Sequence, residues 1–465
     1  VEDRLFPEKS ISSVLRDKEG GYWFTTLKDG MYYVPNLSIK TLTKEQGLYS
    51  NKVAVIRKDR NENLWLGHQA PGISVLRDDG VKHIDLSRYN SEGIEDIVFE
   101  PTGEYVDIIT WEDFFRYYLK PPFQTQLIEK KRSPNSLIYI KENQKVLAGT
   151  WGINIYKDDQ LIYKSCKEDK FCHRISALFY SEADSVLYLG GLNGFWQFKN
   201  GQFTHLGEKD NLLYYRVVDI ARYENYLVLA TRGGGVIFYS KSNVFQVTDK
   251  DGLLSNSVNR VVVEDDDIWI AQNKGLSRLT FYEIGSKLLD IYNLTVHNGL
   301  PTPEIEDVAI RDSILYVATK QGLSYFNFKR LNKNAVPPPI RITEVNIGGV
   351  DTAVKAAYQL DYQSDFISVS YVGLTYRQAE KINYRYKMIG LHDTWKYTNR
   401  NHKTFTTLPP GNYEFIVQAQ NEDGVWSNET ASVAFHIEAP FWKKWWFIAG
   451  VLGLLFLLIW LFVQF

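Results

Sequence analysis

The sequence predicts an all-β protein: a β-propeller of seven or eight four-stranded blades, then a β-sandwich, then one C-terminal transmembrane helix. Three observations carry this. Short apolar strands recur at near-constant spacing from Trp23 to Tyr316. After Pro337-Pro338-Pro339 the pattern changes to longer alternating strands. The chain then finishes on a run of apolar residues without a charge, Trp445 to Val463.

Composition narrows the function. The 465 residues carry 53 Lys and Arg against 55 Asp and Glu, a net charge of -2, so no basic face is expected and nucleic acid is not a partner. Aromatic residues make up 14% of the chain, as suits a β-rich protein with surfaces for interfaces or sugars. Val1 is not an initiator Met and no signal peptide precedes the body, so both ends read as cut from a longer protein.

The repeats come first. YWFTT, LWLGH, YVDII, VLAGT, LYLGG, LVLAT, IWIAQ and LYVAT align on Trp23, Trp65, Val106, Leu147, Tyr188, Val228, Trp269 and Tyr316. Their spacing is about 41 residues six times, then about 47. Two positions on stands a small residue in most copies (Gly67, Gly149, Gly190, Ala230, Ala271, Ala318), and a Gly-apolar pair follows, as in Gly72-Ile73 and Gly322-Leu323. The third copy departs, with aromatics from Trp111 to Tyr118. Each unit reads as strand, turn, strand, Gly loop, strand and a fourth strand, the pattern of propeller blades. The last copy lacks its fourth strand before the prolines. Either Val1 to Phe6 closes an eight-bladed ring or Ser38 to Thr43 closes a seven-bladed one, the first repeat then belonging to a preceding propeller. Residues 1–330 are thus expected to be propeller and 331–339 a Pro-rich linker.

From 340 to 438 the alternation of Tyr384, Tyr386 and Met388, of Tyr413, Phe415, Val417 and Ala419, and of Val433, Phe435 and Ile437 predicts a sandwich of immunoglobulin or fibronectin type. Tyr384, Tyr386 and Tyr413 fall on inward positions. A junction from 439 to 444 leads to the anchor, 445–465. Trp445 to Val463 make a helix of roughly 28 Å, enough to cross a bilayer core. Trp442, Trp445 and Trp446 stand where amphipathic rings favour the interface. Pro440 reads as a first-turn residue of that helix, and the absence of Gly and Ser predicts a stiff junction.

Several motifs carry little chemistry. Asp59-x-Asn61-x-Asn63 has Leu64 where a calcium loop needs glycine, and falls on the recurring blade turn. Gly233-Gly234-Gly235 is followed by a strand, not the helix of a phosphate loop, and Glu264 to Asp267 reads as a solvated turn. No histidine spacing supports a catalytic metal, and no cofactor is expected. Cys166 and Cys172 could close a disulfide worth about 2 kcal/mol, join His173 at a metal, or remain free thiols.

The loops after each second strand project from one face around the axis. They bring Lys28, His68, Gln69, Trp111, Trp151, Asn193, Arg232, Asn273, Lys274 and Lys320 together, and the inter-blade loops add Tyr214 and Tyr215. Hydrogen-bonding groups mixed with aromatic rings suit an oligosaccharide or another small extracellular ligand.

RDKEGGYWFTTLKDGM and KDRNENLWLGHQAPGI resemble the regulator-propeller repeat of bacterial two-component sensors. INYRYKMIGLHDTW, FTTLPPGNYEFIVQAQNEDGVWS and APFWKKWWF, within Asp365 to Phe447, resemble the triple-tyrosine (Y_Y_Y) domain of the same hybrid histidine kinases, of Bacteroidetes type. Tyr384, Tyr386, Trp395, Tyr413, Gly424 and Trp426 carry that motif; Phe405 stands where the family usually has Tyr. The resemblance implies a sensor in the inner membrane, single-pass, a homodimer, with residues before 445 in the periplasm, detecting oligosaccharide, its kinase beyond residue 465. Lys443 and Lys444, before the anchor, oppose that orientation when taken alone. A membrane-tethered propeller enzyme acting on polysaccharide and a protein-binding scaffold stay open as alternatives. An acidic pair at the axis would favour the enzyme.

Overall fold

A computed structural model describes residues 6, 9–89, 91–130, 133–141, 143–282, 289–331, 333–362, 366–406 and 408–464. The chain forms two compact units. The first, from Asn36 to Leu331, contains seven four-stranded antiparallel sheets. Their first strands are Val53–Lys58, Ile94–Phe99, Pro134–Lys141, Ile175–Ser181, Arg216–Tyr223, Val258–Glu264 and Ile305–Arg311. Each packs beside the next and the last beside the first, so these strands ring an axis.

The seventh blade takes its outer strand from the other end of the chain. Lys40–Leu42 pairs antiparallel with Gly322–Asn327, and Thr41 Oγ1 lies 2.9 Å from Ser324 Oγ. The alternative closure by Val1 to Phe6 falls largely outside the described residues. Among the described residues, the pairing of Lys40–Leu42 is the seven-bladed closure by Ser38 to Thr43. The first repeat has only three strands, Ile11–Arg16, Tyr22–Thr26 and Met31–Val34, because the segment after it completes another blade.

Packing explains the repeats. The second strand of the first blade, Leu64–His68, is wholly buried, and Trp65 is 1% exposed. Its cluster joins Val55, Trp65 and Ile73 of one blade to Ile94, Ile97, Val106, Ile108 and Phe115 of the next. Each such aliphatic side chain contributes about 1.5–3 kcal/mol on burial. A Cβ on Gly67 would stand 2.4 Å from Val55 Cγ1 and 2.6 Å from Ile94 Cγ2, which is why the repeat demands a small residue there. The recurring turn has its own logic: Asp59 accepts from the Asn61 and Asn63 amides at 2.9 Å and from Trp65 Nε1 at 3.0 Å. Asp17 repeats this with Gly21 and Trp23, so the acidic turn is a structural brace. In the third copy Asp107 is buried, held by Arg116, Lys145 and Tyr139 at 3.0, 3.1 and 2.6 Å. Cys166 and Cys172 are joined in a disulfide, and no cluster of metal-ligating side chains occurs among the described residues.

The second unit comprises Ser10–Pro35 and the chain from Asn332 onward. Trp23 of the three-stranded sheet meets Tyr376 edge-on at 5.1 Å, and Glu19 accepts from the Tyr376 amide at 2.9 Å. The prolines do not form a free tether: Asn421 Nδ2 donates to the Asn334 and Val336 carbonyls at 2.8 and 3.1 Å. The sandwich packs a four-stranded sheet on a five-stranded one, around Tyr371, Tyr384, Tyr386, Phe405, Tyr413 and Phe415. Phe405 is buried against Tyr386 and Phe415, so it lacks no partner for want of a hydroxyl. Tyr413 Oη donates to the Pro409 carbonyl at 2.8 Å. Trp395 and Trp426 flank the Arg385 guanidinium at 4.7 and 4.4 Å, beside the Gly424 turn at φ +87°.

Beyond the last strand, Ala431–Ile437, a single turn over Phe441–Lys443 precedes an extended Lys444, with ψ 139°. The long helix runs Trp445–Gln464. Pro440 therefore starts the short turn, not the long helix, and Lys444 breaks the two apart. The long helix has mean hydropathy 2.7 with none of its residues buried, so it is long and apolar enough to cross a membrane.

Candidate functional site

Six of the seven inner strands slip register at one place: between Val53 and Val55, Pro134 and Ser136, Ile175 and Ala177, Val217 and Asp219, Val258 and Arg260, and Ile305 and Asp307. The remaining strand slips between Ile94 and Asp96, opposite Ile109 and Thr110. Such a β-bulge leaves one residue outside the ladder and re-aims its side chain. Those residues are Ala54, Glu95, Asn135, Ser176, Val218, Asn259 and Glu306, and all line one axial cavity of about 730 Å³.

Below this layer lies a charge network. Asp307 Oδ2 accepts from Arg57 Nη1 at 2.7 Å and from the Ile56 amide at 2.9 Å. Arg57 Nη2 reaches Asp96 at 2.6 Å, and Arg260 Nε lies 3.3 Å from both Asp219 and Asp307. Asp219 also accepts from the Val261 amide at 3.0 Å, so two of these carboxylates stitch one blade to the next. Burial pushes the Asp219 carboxyl up and Arg260 opposes it. For Arg260 burial acts downward, but Asp219 and Asp307 outweigh it and raise the guanidinium. This layer is satisfied, and its role is to hold the ring.

The mouth is different. Glu95 is open to water in the channel yet enclosed by the ring; that enclosure raises its pKa, Asp96 adds to the effect, and Arg174 opposes it. Glu306 lies 3.7 Å from Lys320 Nζ. Trp111, 47% exposed, lines the same cavity with Gln69 and Arg232. What the site can do chemically is present a ring face, amides and guanidinium groups to a polar guest.

Of the residues proposed from sequence, Gln69, Trp111 and Arg232 reach the cavity, and Lys320 touches its edge through Glu306. Lys28 lies in a hairpin loop of the three-stranded sheet, in the other unit. His68 is fully buried, 2.8 Å from Ser74 Oγ, and belongs to the blade interior. Trp151 packs against Ile109, Phe114, Leu137 and Leu147. Asn193 contacts His173 Nδ1 at 3.2 Å, and Tyr214 lies edge-on to His205 at 4.7 Å. Asn193, Tyr214, Tyr215, Asn273 and Lys274 are exposed but outside the cavity lining. The bulged residues and Arg174, Arg216, Asp219 and Arg260 were missed. Their signal was the near-repetition of Ile94-Glu95-Asp96-Ile97 in Ile305-Glu306-Asp307-Val308.

Residues 375–438 match the Y_Y_Y domain family. A curated histidine kinase from Formosa agariphila is 25% identical over 234 residues, which is 46% of this chain and 17% of that protein. Among solved structures, the extracellular domain of a protein described as a hybrid two component system from B. thetaiotaomicron superposes with a TM-score of 0.73 at 20% identity, covering 92% of this chain and 62% of that one. An extracellular domain described as belonging to a one component system of the same organism gives 0.54 at 15% identity, over 93% and 62%. The chain thus spans less than two thirds of these relatives, and the structural likeness establishes the fold.

Proposed function

We propose that this chain is the extracytoplasmic ligand-sensing region of a membrane-bound two-component sensor kinase, single-pass through Trp445–Gln464 in the inner membrane, with the preceding residues in the periplasm. The observation that carries this is the junction: a Y_Y_Y sandwich followed, after only Glu438 to Lys444, by a bare apolar helix. Similarity to a histidine kinase and to extracellular domains of signalling proteins supports it. The stimulus is an oligosaccharide in the axial cavity, where Trp111 offers a stacking face and Gln69 offers hydrogen bonds. Binding shifts the packing of paired chains, and the sandwich passes the shift to the helix.

The test is a fusion of this chain, through its helix, to a histidine-kinase output in a reporter strain exposed to a glycan panel. Induction by a subset of glycans is expected. A properly inserted fusion that answers none of them refutes the reading.

One observation favours a second reading. Glu95 and Glu306 both face the axis without a guanidinium partner, and Glu95 is held toward its neutral form, as a general acid would be. A polysaccharide hydrolase built on this pair would release reducing ends and lose that activity in Glu95→Gln.

A further inference from the structure

The mouth of the axial cavity carries three arginines that form no ion pair among the described residues. Arg174 and Arg216 stand just before the bulge in adjacent blades, at equivalent positions ahead of Ile175 and Val217. Arg232 ends the second strand of the fifth blade and lies directly across the ladder from Arg216. All three line the cavity. The ion pairs at the axis go elsewhere: Asp96 and Asp307 to Arg57, Asp219 and Asp307 to Arg260, and Glu306 to Lys320. Among the described residues, none of the three arginines forms one. Arg232 Nη1 has Ser257 Oγ at 3.1 Å, and the buried Nε of Arg216 has no hydrogen-bond partner.

This placement is costly without a guest. Like charges facing each other across a strand pair destabilise the sheet. Burial lowers the Arg232 pKa and Arg216 lowers it further, with Glu306 opposing. Counted over the whole lining, five arginines balance five carboxylates, but the balance is not local. The carboxylates of Asp96, Asp219 and Asp307 are consumed by Arg57 and Arg260, and Glu306 is shared with Lys320. Glu95 remains to face three guanidinium groups, with Glu306 acting on Arg232 only at a distance, and burial favours the neutral form of Glu95. Guanidinium groups present paired N–H donors matched to carboxylate and sulfate oxygens. In a seven-membered ring, the second blade, which carries Trp111, stands across the axis from the fifth, which carries Arg216 and Arg232. A sugar ring stacked on Trp111 would therefore direct a substituent toward the arginines.

We infer that the axial site takes an anionic glycan, with a carboxylate or sulfate ester held by Arg174, Arg216 and Arg232 opposite Trp111. This rests on the sensor reading and specifies its ligand class. Sugar acids and sulfated sugars share the recognising chemistry.

Calorimetry on the whole chain in detergent separates these cases, using matched oligosaccharides that are neutral, uronate-containing or sulfated. The expected result is binding of at least one anionic set, at least tenfold weaker or undetectable binding of the neutral set, and affinity that falls as NaCl rises. Whichever of the uronate and sulfated arms binds names the anion. Arg216→Gln and Arg232→Gln should each weaken that binding at least tenfold, with Arg174→Gln as a third variant should either fail to fold. Neutral glycans binding as tightly as anionic ones, or three folded variants with unchanged affinity, would overturn the anion assignment while leaving an oligosaccharide sensor standing. Inorganic sulfate competing no worse than the sulfated glycan would overturn the glycan half of the assignment. Failure of every glycan, charged or neutral, would remove this inference and the oligosaccharide reading together.

Discussion

At the scale of single residues, His68 shows how a loop-like position becomes interior. Its burial, with His83 adding to the effect, lowers its pKa to about 4. In the unfolded chain the imidazole takes a proton near pH 6.5. The folded state resists that proton, so its stability is complete above pH 6.5 and is lost as pH falls toward about 4. Between pH 7 and pH 5 the ring should lose about 2 kcal/mol through this group. His68→Gln, which keeps a partner for Ser74 but cannot titrate, should shrink the acid-side drop in melting temperature; an unchanged drop would place the titration elsewhere. The two tryptophans divide in the same way. Trp111→Ala should weaken glycan binding by about 1–3 kcal/mol with little change in melting. Trp151→Ala should do the reverse, costing stability because it supports the cluster of Ile109, Phe114, Leu137 and Leu147. Swapped outcomes would move the binding site to the outer face. From the sequence both tryptophans look alike, since each follows a second strand; only packing tells them apart.

At the scale of elements, the small residue and the turn between first and second strands were legible because they recur in most copies, and repetition separates a structural demand from chance. Gly67→Leu tests that demand. With Val55 and Ile94 already within 3 Å of a Cβ, the larger side chain has to push neighbouring blades away from each other. A loss of about 1–3 kcal/mol or more is expected, read as a lower denaturation midpoint and faster proteolysis within the ring; a wild-type midpoint would mean that the blades are loosely packed. The bulges were not legible. A bulge breaks the two-residue alternation by which inward positions are recognised, so Glu95 and Glu306 look like strand-edge polar residues. The axial site is also assembled from residues about 40 positions apart, and its neighbours are known only once the ring order is known. By contrast the sandwich positions of Tyr384, Tyr386 and Tyr413 follow the plain alternation and lie in the core.

At the scale of the whole molecule, the proposed transmission from sandwich to helix turns on Lys444. The residue is extended between a single turn and the long helix, its Nζ 3.2 Å from Glu438. An insertion directly after it can be absorbed by re-forming the helix start. An insertion after Phe447 cannot, and turns the remaining helix by about 100° for one residue, while seven nearly restore the phase. One-residue insertions there should lock or abolish reporter output, and a seven-residue insertion should partly preserve the response; equal signalling at every length would make the helix a passive anchor. The bulges have a last consequence. A residue outside the ladder has no duty to strand pairing, so its chemistry can change while the sheet around it stays the same. The ring is in this respect a lock with dials set into its blades, where Ala54, Ser176 or Val218 can be reset singly. Descendants of one gene could acquire new tastes through a few codon changes, with no need to reinvent the body that carries them.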